Sequence, residues 1–368
     1  MAGITGINPL EEVKIKKLVG FKHLIPGVIY DNWVTSLKRF GIDAVTGYTS
    51  SASEASIGQM SVLSNTFYGL KVTTPHARPV ASITFNITDD AGSLKNHAIQ
   101  MGLRLTQSAV SRELTINEML TFSHYSNVQM TQKITPLTED SSAYYEIVCS
   151  MAKDNYGHDA IDIEVFVNKQ AVSSGSVSYA AGKGLSLTVG RGFIPNGDGF
   201  TWLIGDMYIA ELTQDSDGFF TPQLLGNLTL EPFTVASYTG DKHTNTLNND
   251  IVTALNTLGP NNDLGALAIK PVEQPASVTF NVPDIAGKSI LGAALNIVYK
   301  DSIAPNNRLS YQITEGTTQL PAETITARNA DLAGYTTFSK ILTTPEGGGA
   351  WNAENLKFKL DIMNKGGE

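Results

Sequence analysis

The sequence predicts an all-β protein of two antiparallel β-sandwich (jelly-roll-like) modules preceded by an N-terminal arm. Three observations support this prediction: a repeated strand, many short alternating segments between turn residues, and weak helical periodicity. The repeat is residues 81–92, ASITFNITDDAG, which return as residues 276–287, ASVTFNVPDIAG, with eight of twelve positions identical. Both copies alternate apolar and polar residues and then reach an Asp-x-Ala-Gly turn, as a half-buried antiparallel strand does.

The composition restricts the possible classes of protein. A chain of 368 residues with 42% hydrophobic and 17% charged residues is long enough for two or three ordered domains. The net charge of −9 disfavours nucleic acid or an anionic membrane as the main partner. No apolar run reaches the roughly eighteen residues that a membrane span needs, and acidic residues interrupt the apolar start of a secretory signal. We therefore expect synthesis and folding in a cytoplasm.

Residues 1–44 form the predicted arm. Asn8 is typical of a helix N-cap and Pro9 of the first helical position, so a short helix ending near Gly20 is expected. The apolar segment that follows, residues 24–33, has little chain with which to form a core of its own. It is expected to pack either on the body of its own chain or on a neighbouring subunit, and the sequence leaves both open.

Residues 45–214 form the first predicted module, in which one alternating strand follows another. The expected strands are residues 59–70, 78–88, 98–105, 144–151, 161–167, 184–189 and 202–212, with a turn at 168–170. The exception is a helix predicted at 111–120. Short strands between turn signals indicate an antiparallel sandwich.

Residues 215–368 form the second predicted module. It is expected to contain a short helix at 250–258 and strands at 276–282, 290–300, 309–314 and 336–343. The chain then reaches a loop rich in proline and glycine, TTPEGGGAWN, and closes with an alternating strand at 356–362. The repeated strand therefore lies once in each module.

The first module resembles the end of a laminin-G or concanavalin A-like jelly roll. The resemblance rests on residues 162–168, DIEVFVN, then a glycine-rich loop, residues 185–190, and the pattern Ile-Gly-Asp-x-Tyr-Ile at 204–209. It covers about 170 residues and implies an antiparallel sandwich. Because it is a strand pattern and not a catalytic signature, it implies no activity. In that family a calcium site built from distant loops is common, and Asp198 and Asp206 are the candidates here.

The second module resembles virion structural proteins of tailed bacteriophages. The resemblance covers roughly residues 221–364 and rests on the Pro/Gly-rich loop with Trp351, followed by the last alternating strand. It implies a protein that decorates a capsid or builds part of a neck or tail.

No catalytic residue is predicted. Retaining β-glucanases with the concanavalin A-like fold carry Glu-x-Asp-x-Glu on one strand, and the corresponding positions are Ala160, Asp162 and Glu164. The nucleophile position lacks a carboxylate, so the acids are expected to lie on the solvent-facing side of the strand. Cys149, the single cysteine, lies in an apolar run and is expected to be a buried, inert thiol.

No metal or cofactor is predicted either. Asp215 and Asp217 begin a calcium-like loop, but Phe219 stands where a third oxygen ligand is needed and Gly226 where the closing Glu belongs. The six histidines show no zinc-ligand spacing. The loop is therefore expected to be a linker.

Two functions follow from these patterns. The first is a non-enzymatic structural component of a tailed-phage particle, located in the virion, which contacts other virion proteins and forms a homo-oligomer. The alternative is a carbohydrate-binding, lectin-like module that attaches to glycans or a host surface. Its aromatic residues for stacking on sugars are Tyr125, Tyr156, Phe200 and Trp202, although core packing is expected for Trp202.

Overall fold

The computed structural model describes residues 13–29, 45–48, 54–74, 82–86, 98–108, 120–124, 141–153, 155–178, 185–189, 200–214, 220–240, 243–245, 250–257, 267–269, 274–299, 308–326 and 336–365. These residues are nearly all β, and every strand pair is antiparallel, which confirms the predicted fold class. Within them, no helix has the length and apolar character needed to cross a membrane. The described residues divide into two compact units. The first runs to Leu230 without residues 22–25, and the second contains residues 22–25 and those from Glu231 onward.

The first unit contains thirteen described strands: β1 (Val13–Val19), β2 (Gly27–Val28), β3 (Val45–Tyr48), β4 (Glu54–Val62), β5 (Asn65–Thr74), β6 (Ser82–Asn86), β7 (Ala98–Ser108), β8 (Leu120–His124), β9 (Ser141–Lys153), β10 (Asp159–Val167), β11 (Gln170–Ser178), β12 (Leu185–Val189) and β13 (Phe200–Leu212). A nine-stranded sheet has the order β11-β10-β9-β7-β13-β5-β4-β2, with β1 also paired to β13. A four-stranded sheet has the order β3-β6-β12-β8. Two antiparallel sheets in one unit are consistent with a β-sandwich of jelly-roll type.

Strand β7 lies in the middle of the larger sheet and is buried on both faces. Met101, Leu103 and Leu105 alternate with polar residues on the opposite face, and those polar residues are buried as well. A sheet with one solvent-facing side would leave alternate residues exposed. Something therefore covers the polar face at β7.

The N-terminal prediction is corrected where the structure describes it. Residues 13–19 form strand β1, whereas the sequence predicted a helix ending near Gly20. The strand pairs with residues 207–212 of β13, and this tertiary pairing prevails over local helical signals. Ile15 and Val19 are buried. These residues therefore belong to the body of their own chain, while Asn8 lies outside the described residues.

Two tight hairpins shape the larger sheet. The predicted single strand at 59–70 is in fact a hairpin, because Leu63 and Ser64 turn the chain with φ of 47° and 68°. At the predicted turn after β10, Asn168 and Lys169 have φ of 48° and 69°. Positive φ at both central residues is the geometry that suits the twist of two-residue hairpins. The helix predicted at 111–120 lies outside the described residues except for Leu120, which begins β8.

The second unit contains ten described strands and one helix: β14 (Thr234–Thr239), β15 (Thr244–Asn245), α1 (Ile251–Leu255), β16 (Leu267–Ala268), β17 (Ala276–Asn281), β18 (Ala293–Tyr299), β19 (Arg308–Glu315), β20 (Thr318–Gln319), β21 (Glu323–Thr326), β22 (Thr336–Leu342) and β23 (Phe358–Asn364). Its main sheet has the order β14-β17-β23-β19-β20, with β21 also on β19, and β18 pairs with β22. Asp250 is the N-cap of α1, since its carboxylate accepts the Thr253 N–H at 2.9 Å.

The second copy of the repeated segment folds as its pattern predicts. It forms β17, and Asp284 then accepts the Ala286 N–H at 3.1 Å while Gly287 has φ of +71°. The first copy contributes β6, and its turn lies outside the described residues. Each copy pairs with a strand on both sides, so the repeat occupies interior positions of two different sheets.

The loop before the last strand closes the core of the second unit. Trp351 is 8% exposed and packs with Ala293 and Leu356, and its indole N–H donates to the Thr343 carbonyl at 3.1 Å. Beside α1, the Asn256 side-chain amide donates to the Val235 carbonyl and accepts the Val235 N–H, both at 2.9 Å. The amide of Asn256 thus pairs with β14 as a neighbouring strand would.

Candidate functional site

A buried polar group covers the β7 face of the larger sheet. We call the side chains of Gln100, Arg104, Glu146, Asp206 and Tyr208 the platform, and residues 223–230 the strap. The platform side chains come from β7, β9 and β13, which are neighbours in the sheet. The strap crosses them and is bound through its backbone, which explains why the polar face of β7 is buried.

Glu146 is the centre of the platform and is fully buried, with 0% exposure. One carboxylate oxygen accepts the Leu225 N–H at 2.7 Å and the Tyr208 hydroxyl at 2.6 Å, and the other accepts the Gly226 N–H at 3.1 Å. Burial raises the pKa of Glu146 above its ordinary value, although these hydrogen bonds and the charge of Lys169 act in the opposite direction. The carboxylate therefore binds the strap backbone with both of its oxygens.

Gly102 makes room for the contact between Tyr208 and Glu146. Gly102 pairs with both residues across the sheet, so the three lie in one row. A Cβ atom at Gly102 would lie 2.0 Å from the Tyr208 ring. The ring therefore lies over the glycine, where its hydroxyl donates to Glu146 and accepts from the Gln100 amide at 2.5 Å.

Arg104 holds the second half of the strap. It donates to Asp206 at 3.1 Å, to the Asn227 side-chain oxygen at 2.6 Å and to the Leu228 carbonyl at 2.7 Å. The guanidinium also lies 5.0 Å from the ring centre of Phe67 and 5.4 Å from that of Tyr144. The arginine is 4% exposed, and its charge is compensated by Asp206.

Asp206 occupies a bulge in β13, where the pairing with β7 shifts register between Gly205 and Tyr208. Its φ of +44° is a conformation that few residues other than glycine adopt. The bulge directs its carboxylate to Arg104 and to the Leu230 N–H at 3.1 Å. Because this side chain is bound by Arg104 and the strap, Asp206 does not have the open geometry that a calcium ligand needs.

The pattern Ile-Gly-Asp-x-Tyr-Ile thus carries structural information beyond strand periodicity. Its Gly205 lies so close to β5 that a Cβ atom would be 2.3 Å from the Tyr68 carbonyl oxygen, while Asp206 and Tyr208 belong to the platform. Sequence reasoning placed Gln100, Arg104 and Glu146 in strands but missed them as a site. The available signal was Gly102, a glycine in mid-strand between two polar residues of the same face.

Beyond the platform, the same sheet face is open on β10 and β11. Asp162 and Glu164 are exposed, whereas Ile161, Ile163 and Val165 of the same strand are buried. The prediction that the two acids lie on a solvent-facing side is therefore confirmed. Their direct cross-strand partners on β11 are also exposed and carry hydroxyl groups: Ser176 opposite Asp162 and Ser174 opposite Glu164.

The predicted aromatic residues have different positions. Tyr156 is 85% exposed at the tip of the β9–β10 hairpin, with its ring centre 6.2 Å from that of His158. Trp202 is fully buried in β13, as expected for core packing. Tyr125 lies outside the described residues. Phe200 begins β13, and the structure describes its backbone only.

The other candidates from the sequence are the cysteine and the acidic residues considered for calcium. Cys149 is buried, as predicted, and burial raises the pKa of its thiol to about 12. Residues 215–219 and Asp198, named for calcium, lie outside the described residues. Among the described ones, no group of three or more His, Cys, Asp and Glu residues is arranged to hold a metal ion.

The sequence matches no family model and no curated protein. Solved structures to which the chain is similar include alginate lyase Aly36B, with 7% identity, a TM-score of 0.34, and coverage of 55% of this chain and 99% of that one. A carbohydrate esterase, vb_24B_21 of the Shiga toxin-encoding bacteriophage phi24B, has 13% identity, a TM-score of 0.30, and coverage of 54% and 100%. The CBM22-1–CBM22-2 tandem domain of Paenibacillus barcinonensis Xyn10C has 11% identity, a TM-score of 0.26, and coverage of 96% and 90%.

These neighbours are carbohydrate-active or carbohydrate-binding domains, one of them from a phage. At such TM-scores and identities the similarity carries no argument about the activity of this chain. The first unit offers two candidate surfaces, the occupied platform and the exposed face of β10 and β11.

Proposed function

We propose that the chain is a non-enzymatic glycan-binding protein, with its binding surface on the β9–β10–β11 side of the first unit. The observation that carries the proposal is Tyr156, which presents an 85% exposed ring at the tip of this hairpin. The open strip formed by Asp162, Glu164, Ser174 and Ser176 belongs to the same strands.

This combination of groups suits a sugar. The face of a pyranose ring is apolar and packs on an aromatic ring, while its hydroxyls donate well to carboxylates. Asp162 and Glu164 are exposed acceptors, and the serine hydroxyls opposite them both donate and accept. A neutral or cationic glycan is favoured over an acidic one, because two carboxylates would repel a uronic acid.

The non-enzymatic part of the proposal rests on how the carboxylates are used. The first position of the Glu-x-Asp-x-Glu motif is Ala160, so the strand lacks the nucleophile of a two-carboxylate mechanism. Glu146 and Asp206 have their oxygens bound by the strap and by Arg104. Each acid on this face is thus either exposed without its catalytic partner or engaged in the fold.

A glycan array, with and without calcium, followed by calorimetry on any hit, tests this function. Tyr156→Ala is expected to weaken binding at least tenfold. Leu63→Ala is the matched control, because Leu63 is also a large apolar side chain at a hairpin tip and is 83% exposed. Absence of binding to every glycan, or equal loss in both variants, would remove the proposal.

A second candidate is a structural role in a tailed-phage particle, located in the virion, with other virion proteins and further copies of this chain as partners. It is supported by the resemblance of the last loop and strand to virion proteins and by the way Trp351 anchors that loop in the core. Mass spectrometry of purified particles, scaled to the major capsid protein, tests it. Hundreds of copies would support capsid decoration, a few dozen a neck or tail part, and absence would exclude the role.

A further inference from the structure

The strap is held as a peptide ligand is held by a receptor. Six hydrogen bonds join platform side chains to strap backbone atoms, and they involve the Gln223 N–H and C=O, the N–H groups of Leu225, Gly226 and Leu230, and the Leu228 C=O. The backbone N–H and C=O groups of a strand ordinarily pair with the backbone of a neighbouring strand. Among the described residues the strap has no such neighbour, and side chains from β7, β9 and β13 bind its backbone groups instead.

The strap has little internal hydrogen bonding and no regular secondary structure. Within the described residues, its one internal backbone hydrogen bond runs from the Leu228 N–H to the Gly226 carbonyl at 2.7 Å. None of its residues belongs to a helix or strand. Its conformation therefore depends on the platform, as the conformation of a bound peptide does.

Two strap residues give the contact its specificity. Gly226 has φ of +80°, and a Cβ atom there would lie 2.2 Å from the end of the Lys169 side chain. Asn227 is the one strap residue whose side chain bonds the platform in the described contacts, through Arg104 at 2.6 Å. A fitting ligand is therefore an extended peptide that bends at a Gly-Asn pair.

We propose that the platform is a peptide-binding site that is filled in cis by the strap, and that a second copy of the chain can supply its strap to this site in trans. Glu146 and Gln100 are fully buried and Arg104 nearly so beneath the strap, so the strap backbone supplies the hydrogen-bond partners that these groups need in a buried site. A second copy carries the same Gly-Asn bend in the same sequence. This inference is independent of the glycan surface, which lies on β10 and β11.

The test pairs two full-length variants that are defective in opposite ways. The acceptor, Gly226→Pro with Asn227→Ala, keeps the platform but loses the Gly226 N–H and the bonded side chain. The donor, Glu146→Ala with Arg104→Met, keeps the strap but loses its binding groups. Mixing them is expected to give a one-to-one dimer by size-exclusion chromatography with light scattering, while each alone stays monomeric. Failure of the mixture to dimerise, with both variants folded by circular dichroism, overturns the trans exchange.

A labelled peptide of residues 221–231 gives a second readout that does not depend on the donor folding. Fluorescence anisotropy is expected to show binding to the acceptor and at least tenfold weaker binding to the wild-type chain, whose platform is filled. A peptide carrying the Pro and Ala changes is the control. Equal binding of the two peptides, or no binding to the folded acceptor, would mean that the platform is a structural network and not a binding site.

Discussion

Replacing Glu146 by alanine should destabilise the first unit strongly. The substitution removes the acceptor of two backbone N–H groups and one hydroxyl in a site with 0% exposure. A buried donor left without a partner costs about 1–3 kcal/mol, and removal of one member of a buried charged network about 3–5 kcal/mol. The Tyr208 hydroxyl keeps its contact with Gln100, and the cost of burying a carboxylate disappears. We therefore expect a net loss of about 3 kcal/mol.

Hydrogen exchange measured by mass spectrometry is the suitable assay. The chain has two units, so a global unfolding curve could combine two transitions, whereas exchange reports the opening of each segment separately. Since ~1.4 kcal/mol corresponds to a factor of ten, peptides from β7 and β9 should exchange roughly a hundredfold faster in the variant. Peptides from β19 and β23 of the second unit provide the internal reference.

The matched substitution is Glu164→Ala, which removes the same side chain from an exposed position of the same sheet face. Surface changes of this kind usually alter stability by less than about 0.5 kcal/mol. If Glu146→Ala and Glu164→Ala change the exchange of β9 to the same extent, Glu146 does not hold the strap. The argument from its three hydrogen bonds would then be refuted.

Three further outcomes are expected. Gly102→Ala should cost about 3 kcal/mol, since its new methyl group would lie 2.0 Å from the Tyr208 ring; exchange in β7 measures this. Leu63→Asn with Ser64→Gly should stabilise the first unit by about 1 kcal/mol, because these residues tolerate the positive φ of the turn; slower exchange of β4 and β5 would show it. Burial raises the folded pKa of Glu146, so its contribution to stability is full below the ordinary value of 4.5 and is lost as pH rises through the folded pKa. Measured from acid to neutral pH, wild-type stability relative to Glu146→Gln should therefore decline.

Each of these outcomes has a direct control. For Gly102, the control is Gly58→Ala in β4, where the nearest atom to the new methyl group would be a side-chain carbon of Lys71 at 3.4 Å. Equal effects at both glycines would contradict the steric argument. For the hairpin, a loss of stability would contradict the turn assignment. For the pH series, a stability difference between wild type and Glu146→Gln that stays constant would mean that folding does not shift the pKa of Glu146. A difference that rises with pH would mean that the fold favours its ionised form, and either result contradicts the prediction.

The sequence predicted several strands of the first unit, but it did not predict the strap that covers one face of the larger sheet. Alternation identified β7, β9, β10 and β13 because each has one mainly apolar face, and the second copy of the repeat identified β17 together with its Asp-x-Ala-Gly turn. The strap could not be predicted, because side-chain hydrogen bonds to an irregular segment leave no periodic pattern. Alternation alone does not distinguish polar residues such as Gln100 and Glu146, which bind the strap, from polar residues that face solvent.

Local signals failed where tertiary pairing decided the structure. Residues 13–19 form a strand because their backbone pairs with residues 207–212 of β13, although the preceding Asn-Pro pair indicates a helix. The hairpin at Leu63 was missed because the chain turns there without glycine or asparagine. By contrast, the turn at Asn168 was predictable from a residue type that accepts positive φ.

The pairing of Asn256 with Val235 affects how the second unit behaves in a crowded solution. Strand β14 ends the described order of its sheet, and an uncovered terminal strand is a template for pairing with other chains. The Asn256 amide occupies the N–H and C=O of Val235 and so interrupts the run of backbone groups that an incoming strand would need. We therefore expect this one side chain, at the end of a five-residue helix, to hinder edge-to-edge aggregation of the unit.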